Sequence, residues 1–516
     1  MITWLLKTLY KLLRFLTKRL VIISLLILLQ VALLVLMILR LSTYSLWFAL
    51  VFYLLGIAVG LWVLVKEDSP SYKIAWIVFI MALPFTGGAF YLLLGKQNIS
   101  KRRRKVFADY VRKFPQLFSY EAGASSEVAQ QYPKYAIQSN YIHNVSGFPP
   151  MTNTAVSFCP LGEDQFAAMT RELEKAERFI FLEYFIIEEG QMWDTILEIL
   201  ERKAAAGVEV RLLYDDMGCI QTLPFRYDHY LASKGIHAIV FNPFRPSVNP
   251  YMNYRDHRKI CVIDGNVGFC GGANLADEYI NVREKYGHWK DTAVMLRGEG
   301  VWNLTRMFLQ LWNSVSKKPD TDISVFRPTV PAQAPGFVQP YPDTPLDDFR
   351  VAESVYMQII NRASRYVYIT TPYLILDSDM TNALTMAAQS GVDVRILTPH
   401  VPDKWFVHIV TRSNYRTLLE AGVKIYEYTP GFIHAKMFVC DDSCAVVGTA
   451  NLDYRSLYLH HECAAFIVGN PVIGDIKQDV LDTISVSRPV TLQEMLSQSL
   501  FKRIVSAFFR LFAPLM

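Results

Sequence analysis

Long apolar runs occupy the first hundred residues of the chain, whereas the rest alternates short apolar segments with amphipathic ones. Residues 20–39 and 44–65 contain no charged side chain, and about 20 apolar residues are enough for a helix to cross the hydrocarbon core of a bilayer. Residues 74–94 are also apolar, but Pro84 and Gly87 interrupt them. The pattern therefore predicts N-terminal transmembrane helices, with residues 74–94 either spanning or re-entrant.

Basic residues flank this membrane region on both sides. Residues 1–19 carry five Lys or Arg and no acid, which is typical of an amphipathic segment at a lipid surface. Six more lie between Lys96 and Lys105, at the start of a stretch, 96–149, that we interpret as a basic tether. Basic residues beside membrane helices usually lie on the cytoplasmic side. Three full spans would place the two basic clusters on opposite sides of the membrane, so we expect one of the segments to be re-entrant or interfacial. We expect a multi-pass membrane protein in which the domains that follow the membrane region lie in the cytoplasm.

From residue 150 onward, the succession of helical and strand patterns occurs twice. The matching segments are 179–186 with 366–374 and 207–213 with 391–397. Alternating helices and strands predict an α/β fold, and the repetition predicts two tandem domains, 150–315 and 347–490. Seven prolines between them indicate an extended linker over residues 316–346.

The C-terminal segment, residues 491–516, has the pattern of an amphipathic helix. Phe501, Ile504, Val505, Phe508 and Phe512 fall on one helical face beside basic residues. Such a helix either lies on the bilayer or packs on the protein, and the sequence leaves both open.

Reactive residue types concentrate in the stretch His257-Arg-Lys259-Ile-Cys-Val-Ile-Asp264-Gly265. Side chains alternate along a strand, so His257 and Lys259 share a face that Asp264 does not. Asp-Gly between two apolar runs predicts a hairpin turn, which brings Asn274 back level with His257. This hairpin predicts a cluster of His, Lys and Asn at one end.

A second copy of the motif repeats this spacing. His434, Lys436, Asp441 and Asn451 occupy the same relative positions, since the offset is 177 both from 257 to 434 and from 274 to 451. A single motif of this kind is weak evidence for an active site. Two copies with the same spacing inside duplicated domains predict one site with pseudo-two-fold symmetry.

Composition narrows the class of protein further. The chain is 52% hydrophobic with a mean hydropathy of +0.19, which is high for a soluble protein. The net charge of +5 is clustered near the apolar segments, which favours anionic lipid surfaces over nucleic acid as a partner. Seven cysteines without framework or metal-ligand spacing indicate reduced thiols.

The paired motifs resemble those of the phospholipase D superfamily, and the apolar N-terminus is similar to that of its bacterial cardiolipin synthases. Further similar segments are Trp289-Lys-Asp291-Thr292, Asn451-Leu-Asp453-Tyr-Arg455-Ser456 and Ala75-Trp76. The resemblance covers nearly the whole chain. It implies two tandem phospholipase D-like α/β domains with pseudo-two-fold symmetry, preceded by N-terminal transmembrane helices in the bacterial cell membrane. The catalytic domains are then expected on the cytoplasmic side.

Cleavage of a phosphodiester requires positive charge, a nucleophile and a proton for the leaving oxygen. Lys259 and Lys436 are expected to neutralise the phosphate, and Asn274 and Asn451 to donate hydrogen bonds to it. One histidine would attack phosphorus and the other would protonate the leaving group. The resemblance favours His257 as the nucleophile, although symmetry leaves the order open.

Four carboxylates complete the predicted site. Asp264 and Asp441 belong to the predicted catalytic motifs, but their strand parity suggests that they mainly form turns. Each histidine also needs a carboxylate to fix its tautomer, and we expect Glu462 to serve the second half and Asp291 the first. We predict no metal and no cofactor, and interpret the other histidines as structural or surface residues, with His288 and His461 nearest the motifs.

The expected activity is transfer of a phosphatidyl group between two phosphatidylglycerols, giving cardiolipin and glycerol through a phosphohistidine. Membrane anchoring gives such a site access to bilayer lipids at high effective concentration. A phospholipase D hydrolase or another phosphatidyltransferase remains an alternative, because the residues do not define the acceptor. A membrane-anchored nuclease is a remote alternative, since no basic stripe with interleaved aromatics occurs.

Overall fold

A computed structural model describes residues 19–44, 46–66, 69–83, 86–95, 104–105, 107–109, 123–244 and 253–515. The predicted amphipathic segment 1–19 and the basic residues 96–103 therefore lie almost wholly outside the described residues. Helices and strands are numbered below in chain order.

The N-terminal region is a group of apolar helices. These are α1 (Arg19–Tyr44), α2 (Leu46–Val65), α3 (Pro70–Ala82) and α4 (Gly87–Leu94). In the part of the chain that the structure describes, one helix, α2, is long and apolar enough to cross a membrane, judged by length and composition. The helical structure is interrupted between α3 and α4, as the pattern of Pro84 and Gly87 predicted. Both helices pack against α2 through a cluster that includes Tyr72, Trp76 and Tyr91.

Part of the predicted tether is folded. Residues 123–146 form α5 (Gly123–Gln131) and α6 (Pro133–Ser146). Val128, Tyr135 and Ile142 from these helices are buried in the core of the second domain. The prediction of a tether over 96–149 is therefore wrong for this stretch, because a short apolar stripe at helical spacing finds a partner surface that the sequence pattern does not show.

The first domain is built on a seven-stranded sheet with the order β1-β8-β6-β5-β2-β3-β4. Its strands are β1 (Thr154–Cys159), β2 (Phe179–Tyr184), β3 (Glu209–Asp215), β4 (His237–Phe241), β5 (Lys259–Ile263), β6 (Val267–Gly271) and β8 (Ala293–Gly298); β7 (His288–Lys290) lies outside it. Its helices are α7 (Gly162–Leu173), α8 (Gln191–Ala205), α9 (Asp216–Cys219), α10 (Tyr227–Ser233) and α11 (Val301–Val315).

The second domain is built on an eight-stranded sheet with the order β17-β12-β11-β10-β14-β15-β16-β9. Its strands are β9 (Phe337–Asp343), β10 (Tyr366–Thr370), β11 (Asp393–Pro399), β12 (Lys424–Tyr428), β14 (Met437–Cys440), β15 (Cys444–Gly448), β16 (Glu462–Val468) and β17 (Ser487–Val490); β13 (Gly431–Ile433) lies outside it. Its helices are α12 (Val351–Arg362), α13 (Ser378–Gln389), α14 (Trp405–Glu420), α15 (Tyr454–Tyr458) and α16 (Val472–Ser485).

The two sheets repeat one topology. In each, three parallel strands (β2, β3, β4; β10, β11, β12) adjoin an antiparallel set (β5, β6, β8; β14, β15, β16). The duplicated α/β fold is confirmed. The domains share a core in which α11 is buried along nearly its whole length, and Cys270 Sγ lies 3.7 Å from Cys463 Sγ. All seven cysteines are free and buried, as expected for reduced thiols.

The linker prediction is wrong at its C-terminal end. Residues 337–343 form β9, which pairs antiparallel with β16 at the edge of the second sheet. Pro340 and Pro342 lie inside this strand, and an edge strand tolerates proline because one side of its backbone needs no ladder donor. The high proline content therefore led to a linker prediction for a stretch that forms a strand of the second domain.

The C-terminal segment packs on the protein along one side and is exposed along the other. It forms α17 (Leu492–Leu496) and α18 (Leu500–Leu511). On one side α18 packs on α14, where the Phe509 and Trp405 rings lie 5.4 Å apart, and on α3. On the other side Phe501, Ile504 and Phe508 are exposed.

The two motif aspartates form the predicted hairpin turns. Asp264 and Gly265 both have positive φ, as do Asp441 and Asp442, which is the backbone of a type I′ turn. Asp264 accepts hydrogen bonds from three backbone N–H groups at residues 177–179, at 2.7–2.9 Å. Asp441 accepts from the backbone at residues 364–366, at 2.8–3.0 Å. The hydrogen bonds of each aspartate thus connect its hairpin turn to the start of a neighbouring strand. The interpretation of the two aspartates as turn-forming residues is confirmed.

Replacement of Asp441 by Asn is expected to destabilise the protein. Although burial alone would raise the pKa of Asp441, the backbone and Ser364 hydrogen bonds hold it well below its usual value. Losing a charged acceptor of several hydrogen bonds is expected to cost about 2–3 kcal/mol. A depressed folded-state pKa stabilises above the unfolded pKa of about 3.9 and loses this effect as pH falls through the folded value.

The thermal unfolding midpoint of the detergent-solubilised protein measures this effect. The difference between wild type and Asp441→Asn should be largest near neutral pH and should shrink below about pH 4. Asp442→Asn is the matched control, because Asp442 is 44% exposed and makes ion pairs of the kind that contribute little. Equal shifts for the two variants would contradict the assigned role of Asp441.

Candidate active site

The two hairpins bring their His and Lys residues into one buried site between the domains. His257 lies just before β5, and His434 lies between β13 and β14. His257, Lys259, His434 and Lys436 are all less than 10% exposed. Each lysine Nζ donates to the backbone carbonyl of the histidine two residues earlier. The two motifs therefore converge, as their repetition predicted.

Each histidine is bound by a carboxylate from the opposite half. His257 Nδ1 lies 2.9 and 3.0 Å from the two carboxylate oxygens of Glu462, and His434 Nδ1 lies 2.6 Å from Asp291 Oδ2. The expectation that each carboxylate serves the histidine of its own half is wrong. Both carboxylates are present in the site, but their partners are exchanged.

Backbone hydrogen bonds between the domains cause the exchange. The His257 N–H donates to the carbonyl of His461 at 2.9 Å, and the His434 N–H donates to the carbonyl of Lys290 at 2.7 Å. The residue after each accepting carbonyl is the carboxylate that binds the histidine ring. Parallel pairing of β7 with β13 holds one junction, and a bridge between Asp256 and His461 holds the other. Neither half therefore supplies both members of a His–carboxylate pair in this site.

Burial dominates the electrostatics of the four basic groups. Burial, reinforced by Lys259, holds the pKa of His257 well below its usual value, and burial lowers that of His434 to about 4. Burial also lowers the pKa of Lys259 to about 8 and that of Lys436 to about 7. His257 is thus unprotonated at neutral pH, as a nucleophile requires. His434 is unprotonated in the absence of substrate, and a bound phosphodiester anion favours its protonated form.

The carboxylates counter this accumulation of positive charge. Burial raises the pKa of Glu462, while Lys259 and a hydrogen bond from Thr449 favour its ionised form. An Nδ1–H group that donates to a carboxylate leaves the Nε2 lone pair free for attack or for a proton. The arrangement therefore provides two oriented imidazoles and two adjacent lysines.

The lysine pKa values set an expected pH dependence. The kcat/KM for a phosphodiester reports ionisations of the free enzyme. As pH rises through about 7 and 8, Lys436 and Lys259 lose their protons, so kcat/KM is expected to fall on the alkaline side. Lys436→Arg keeps the charge and should move this limb to higher pH, at a lower maximal rate. Lys477→Arg, at a surface ion pair, is the control and should leave the profile unchanged. An unaltered alkaline limb in Lys436→Arg would refute the assignment.

The side chains of the two asparagines form hydrogen bonds within the protein, which the sequence analysis did not predict. Asn274 Oδ1 accepts from the backbone N–H of Ile186 at 3.0 Å, and its Nδ2 donates to the Tyr279 hydroxyl at 2.6 Å. Asn451 hydrogen-bonds to the Asp453 carboxylate. One amide hydrogen of each asparagine is therefore used within the protein, and donation to phosphate by the other stays a prediction.

The surroundings of the two histidines differ. The rings of Tyr279, Trp289 and Phe432 lie 5.5–5.8 Å from that of His434. His257 instead faces Phe185 and a third histidine, His460, whose ring lies 5.6 Å away. His460 was interpreted from the sequence as structural or surface; its position two residues before Glu462 was the signal that it borders the site.

Of the two histidines expected near the motifs, only one adjoins the site. His461 contributes the carbonyl that binds His257, while its ring contacts Thr344 Oγ1 at 3.2 Å. His288 contacts the Tyr428 hydroxyl at 2.9 Å. Among the described residues, His257, His460 and Glu462 have ligand atoms within 4.8 Å of one another, as a metal site would require. Lys259 and Lys436 in the same pocket disfavour a divalent cation there.

The fold and the site together define a two-domain α/β protein in which each half contributes one histidine to a single buried site. A family model described as "Cardiolipin synthase, PLD-like domain" matches residues 169–312 and 356–482, more than half of the chain. A second, described as "Phospholipase_D-nuclease N-terminal", matches residues 46–96. The chain belongs to the cardiolipin synthase family of phospholipase D-like proteins.

Individual relatives extend over most of the chain. A protein of Streptococcus mutans named "Uncharacterized protein" is 46% identical over 444 residues, which are 86% of this chain and 96% of that protein. The cardiolipin synthase of Geobacillus thermodenitrificans is 35% identical over 453 residues, 87% of this chain and 90% of that protein. The crystal structure of the phosphatidylserine synthase of Haemophilus influenzae superposes with a TM-score of 0.54 at 15% identity, covering 74% of this chain and 98% of that one, and so supports the fold.

Proposed function

We propose that this protein is a membrane-associated phosphatidyltransferase that acts as a cardiolipin synthase, joining two phosphatidylglycerols and releasing glycerol. The observation that carries the proposal is the pair of buried His–carboxylate contacts, each built from both halves, beside two lysines. Family membership and relatives named cardiolipin synthase support the choice of lipid substrate.

In the first step, His257 Nε2 attacks the phosphorus of one phosphatidylglycerol. The bond from phosphorus to the glycerol headgroup oxygen breaks, and protonated His434 supplies the proton that releases glycerol. Lys259 and Lys436 neutralise the non-bridging oxygens as charge builds on them. The imidazole of the phosphohistidine becomes positively charged, and the Glu462 carboxylate at its Nδ1 stabilises that charge.

In the second step, a headgroup hydroxyl of another phosphatidylglycerol attacks the phosphohistidine. His434, now neutral, takes the hydroxyl proton, and the phosphorus–nitrogen bond breaks to regenerate His257. The products are cardiolipin and an enzyme with His434 protonated for the next cycle. Asp291 holds His434 in one orientation through both transfers.

The catalytic domains are proposed to face the cytoplasm. The support is the concentration of basic residues at 1–19 and 96–105 on either side of the apolar helices, since such clusters remain on the cytoplasmic side. A cytoplasmic site also matches seven buried, free thiols, because the cytosol keeps cysteines reduced.

The deciding assay supplies purified protein with phosphatidylglycerol that is radiolabelled in the headgroup and in the phosphate. Cardiolipin and free glycerol in equal amounts are expected, with the phosphate label trapped transiently on the protein after a rapid acid-free quench. Phosphatidic acid as the sole lipid product would make water the acceptor and would overturn the proposed transfer.

A further inference from the structure

His460 lies in the active site but has no part in the steps above. Its Nδ1 lies 3.8 Å from Glu462 Oε1, its ring is next to that of His257, and 11% of its side chain is exposed. Neither ring nitrogen has a hydrogen-bond partner among the described residues. Buried polar groups are rarely left without a partner, so an unpartnered imidazole beside a catalytic histidine points to a hydrogen bond with the substrate.

Asn451 provides a second acceptor of the same kind. Its contact to the Asp453 carboxylate must come from the amide nitrogen, which fixes the orientation of the side chain. Asn451 Oδ1 is buried, and no described residue donates to it. His460 and Asn451 both belong to the segment 451–462, which connects β15 to β16 and reaches the site at both ends.

These acceptors stand out because the rest of the site offers donors. Lys259 and Lys436 are cations, and the carboxylates of Asp291 and Glu462 are engaged by the catalytic histidines. Lysine donors suit the phosphate, which has only acceptor oxygens. A hydroxyl group, in contrast, needs an acceptor for its own proton, and the free acceptors are on His460 and Asn451.

Positive charge surrounds His460. Burial, with Arg455, Lys259, Arg255 and Lys404, holds the pKa of His460 well below its usual value, so the imidazole is neutral and one ring nitrogen is an acceptor. The one carboxylate placed beside the ring, Glu462, is already engaged by His257 and Thr449, so these cations disfavour an ammonium headgroup relative to a neutral one.

We propose that His460 and Asn451 form a subsite that recognises the hydroxyl groups of an uncharged polyol headgroup. This inference rests on the proposed function and names the headgroup chemistry that the site selects: a glycerol headgroup is bound, and an ethanolamine headgroup is rejected.

The test compares two substrates in wild type and His460→Ala. One is phosphatidylglycerol, and the other is a phosphatidyl p-nitrophenyl ester, which has the same phosphodiester but no headgroup hydroxyl. Loss of one hydrogen bond to a hydroxyl is expected to lower kcat/KM for phosphatidylglycerol about tenfold. Cleavage of the nitrophenyl ester should stay within about twofold, and discrimination against phosphatidylethanolamine should weaken.

Two further variants separate recognition from a structural role. His460→Gln keeps a donor and an acceptor and should recover phosphatidylglycerol cleavage to within about threefold. Asn451→Ala should lower cleavage of both substrates, because its amide is also predicted to bind the phosphate, but should lower phosphatidylglycerol cleavage more. His461→Gln is the control, because its ring contacts Thr344 and not the site, and it should not change substrate preference.

The outcomes are distinguishable from those of the function assay. Equal losses on both substrates in His460→Ala, or no loss on either, would overturn the subsite. If wild type released phosphatidic acid in place of cardiolipin, the transfer proposal would fail, but substrate preference in the same variants would still decide whether the subsite exists.

Discussion

Replacement of His257 by Asn is expected to abolish cardiolipin formation, with a loss of about a thousandfold or more, because the nucleophile itself is removed. His434→Asn should cause a similar loss with phosphatidylglycerol, whose glycerol oxygen is a poor leaving group that needs a proton. Combining the two should cost little more than either alone, since both act in one step. Initial rates on radiolabelled phosphatidylglycerol in mixed micelles measure these losses.

The nitrophenyl ester separates the roles of the two histidines. Nitrophenolate leaves without protonation, so His434→Asn should regain most of the first-step rate on this substrate, whereas His257→Asn should remain inactive. His229→Asn, at a 62% exposed histidine, is the control and should behave like wild type on both substrates. Recovery in His257→Asn and not in His434→Asn would reverse the assignment of nucleophile and acid.

The second large expected effect concerns the two carboxylates, each of which binds the histidine of the opposite half. Glu462→Gln and Asp291→Asn are each expected to lower kcat on phosphatidylglycerol about a hundredfold to ten-thousandfold with little change in KM, because an amide no longer fixes the histidine tautomer or stabilises its charge. On the nitrophenyl ester, Asp291→Asn should recover like His434→Asn, and Glu462→Gln should not.

This pattern distinguishes the observed pairing from the one expected within each half. If Asp291 acted on His257, the recovery would appear in Glu462→Gln. Glu427→Gln is the matched control: Glu427 is also buried and also contacts a histidine, His400, at 3.1 Å, but it lies away from the site. This variant should lower stability and leave the dependence on the leaving group unchanged.

Local pattern was sufficient for the parts of the site that lie on one hairpin. Period-two alternation placed His257 beside Lys259 and away from Asp264, and the Asp-Gly dipeptide located the turn. Repetition at a constant offset then predicted the second hairpin and the duplicated fold. These features depend on residues close together in the sequence, so they could be predicted without knowing how the halves pack.

The hydrophobic pattern did not predict the structure of segments that fold only in contact with residues far away along the chain. Residues 123–146 are weakly periodic, but Val128, Tyr135 and Ile142 gain burial against the second domain and form helices. The stretch 337–343 contains two prolines, yet pairing with β16 makes it an edge strand. In both cases the stabilising surface belongs to residues far away along the chain.

The amino-acid sequence by itself determined two repeated α/β units, the His and Lys residues of the site, the two aspartate turns and the apolar N-terminus. Only the tertiary structure decided that Glu462 binds His257 and that Asp291 binds His434, and only it placed His460 in the site. The physical reason is that the histidine backbones hydrogen-bond to strands of the opposite domain, at His461 and Lys290. Such bonds form only when the two halves pack together, and no periodicity within either half encodes them.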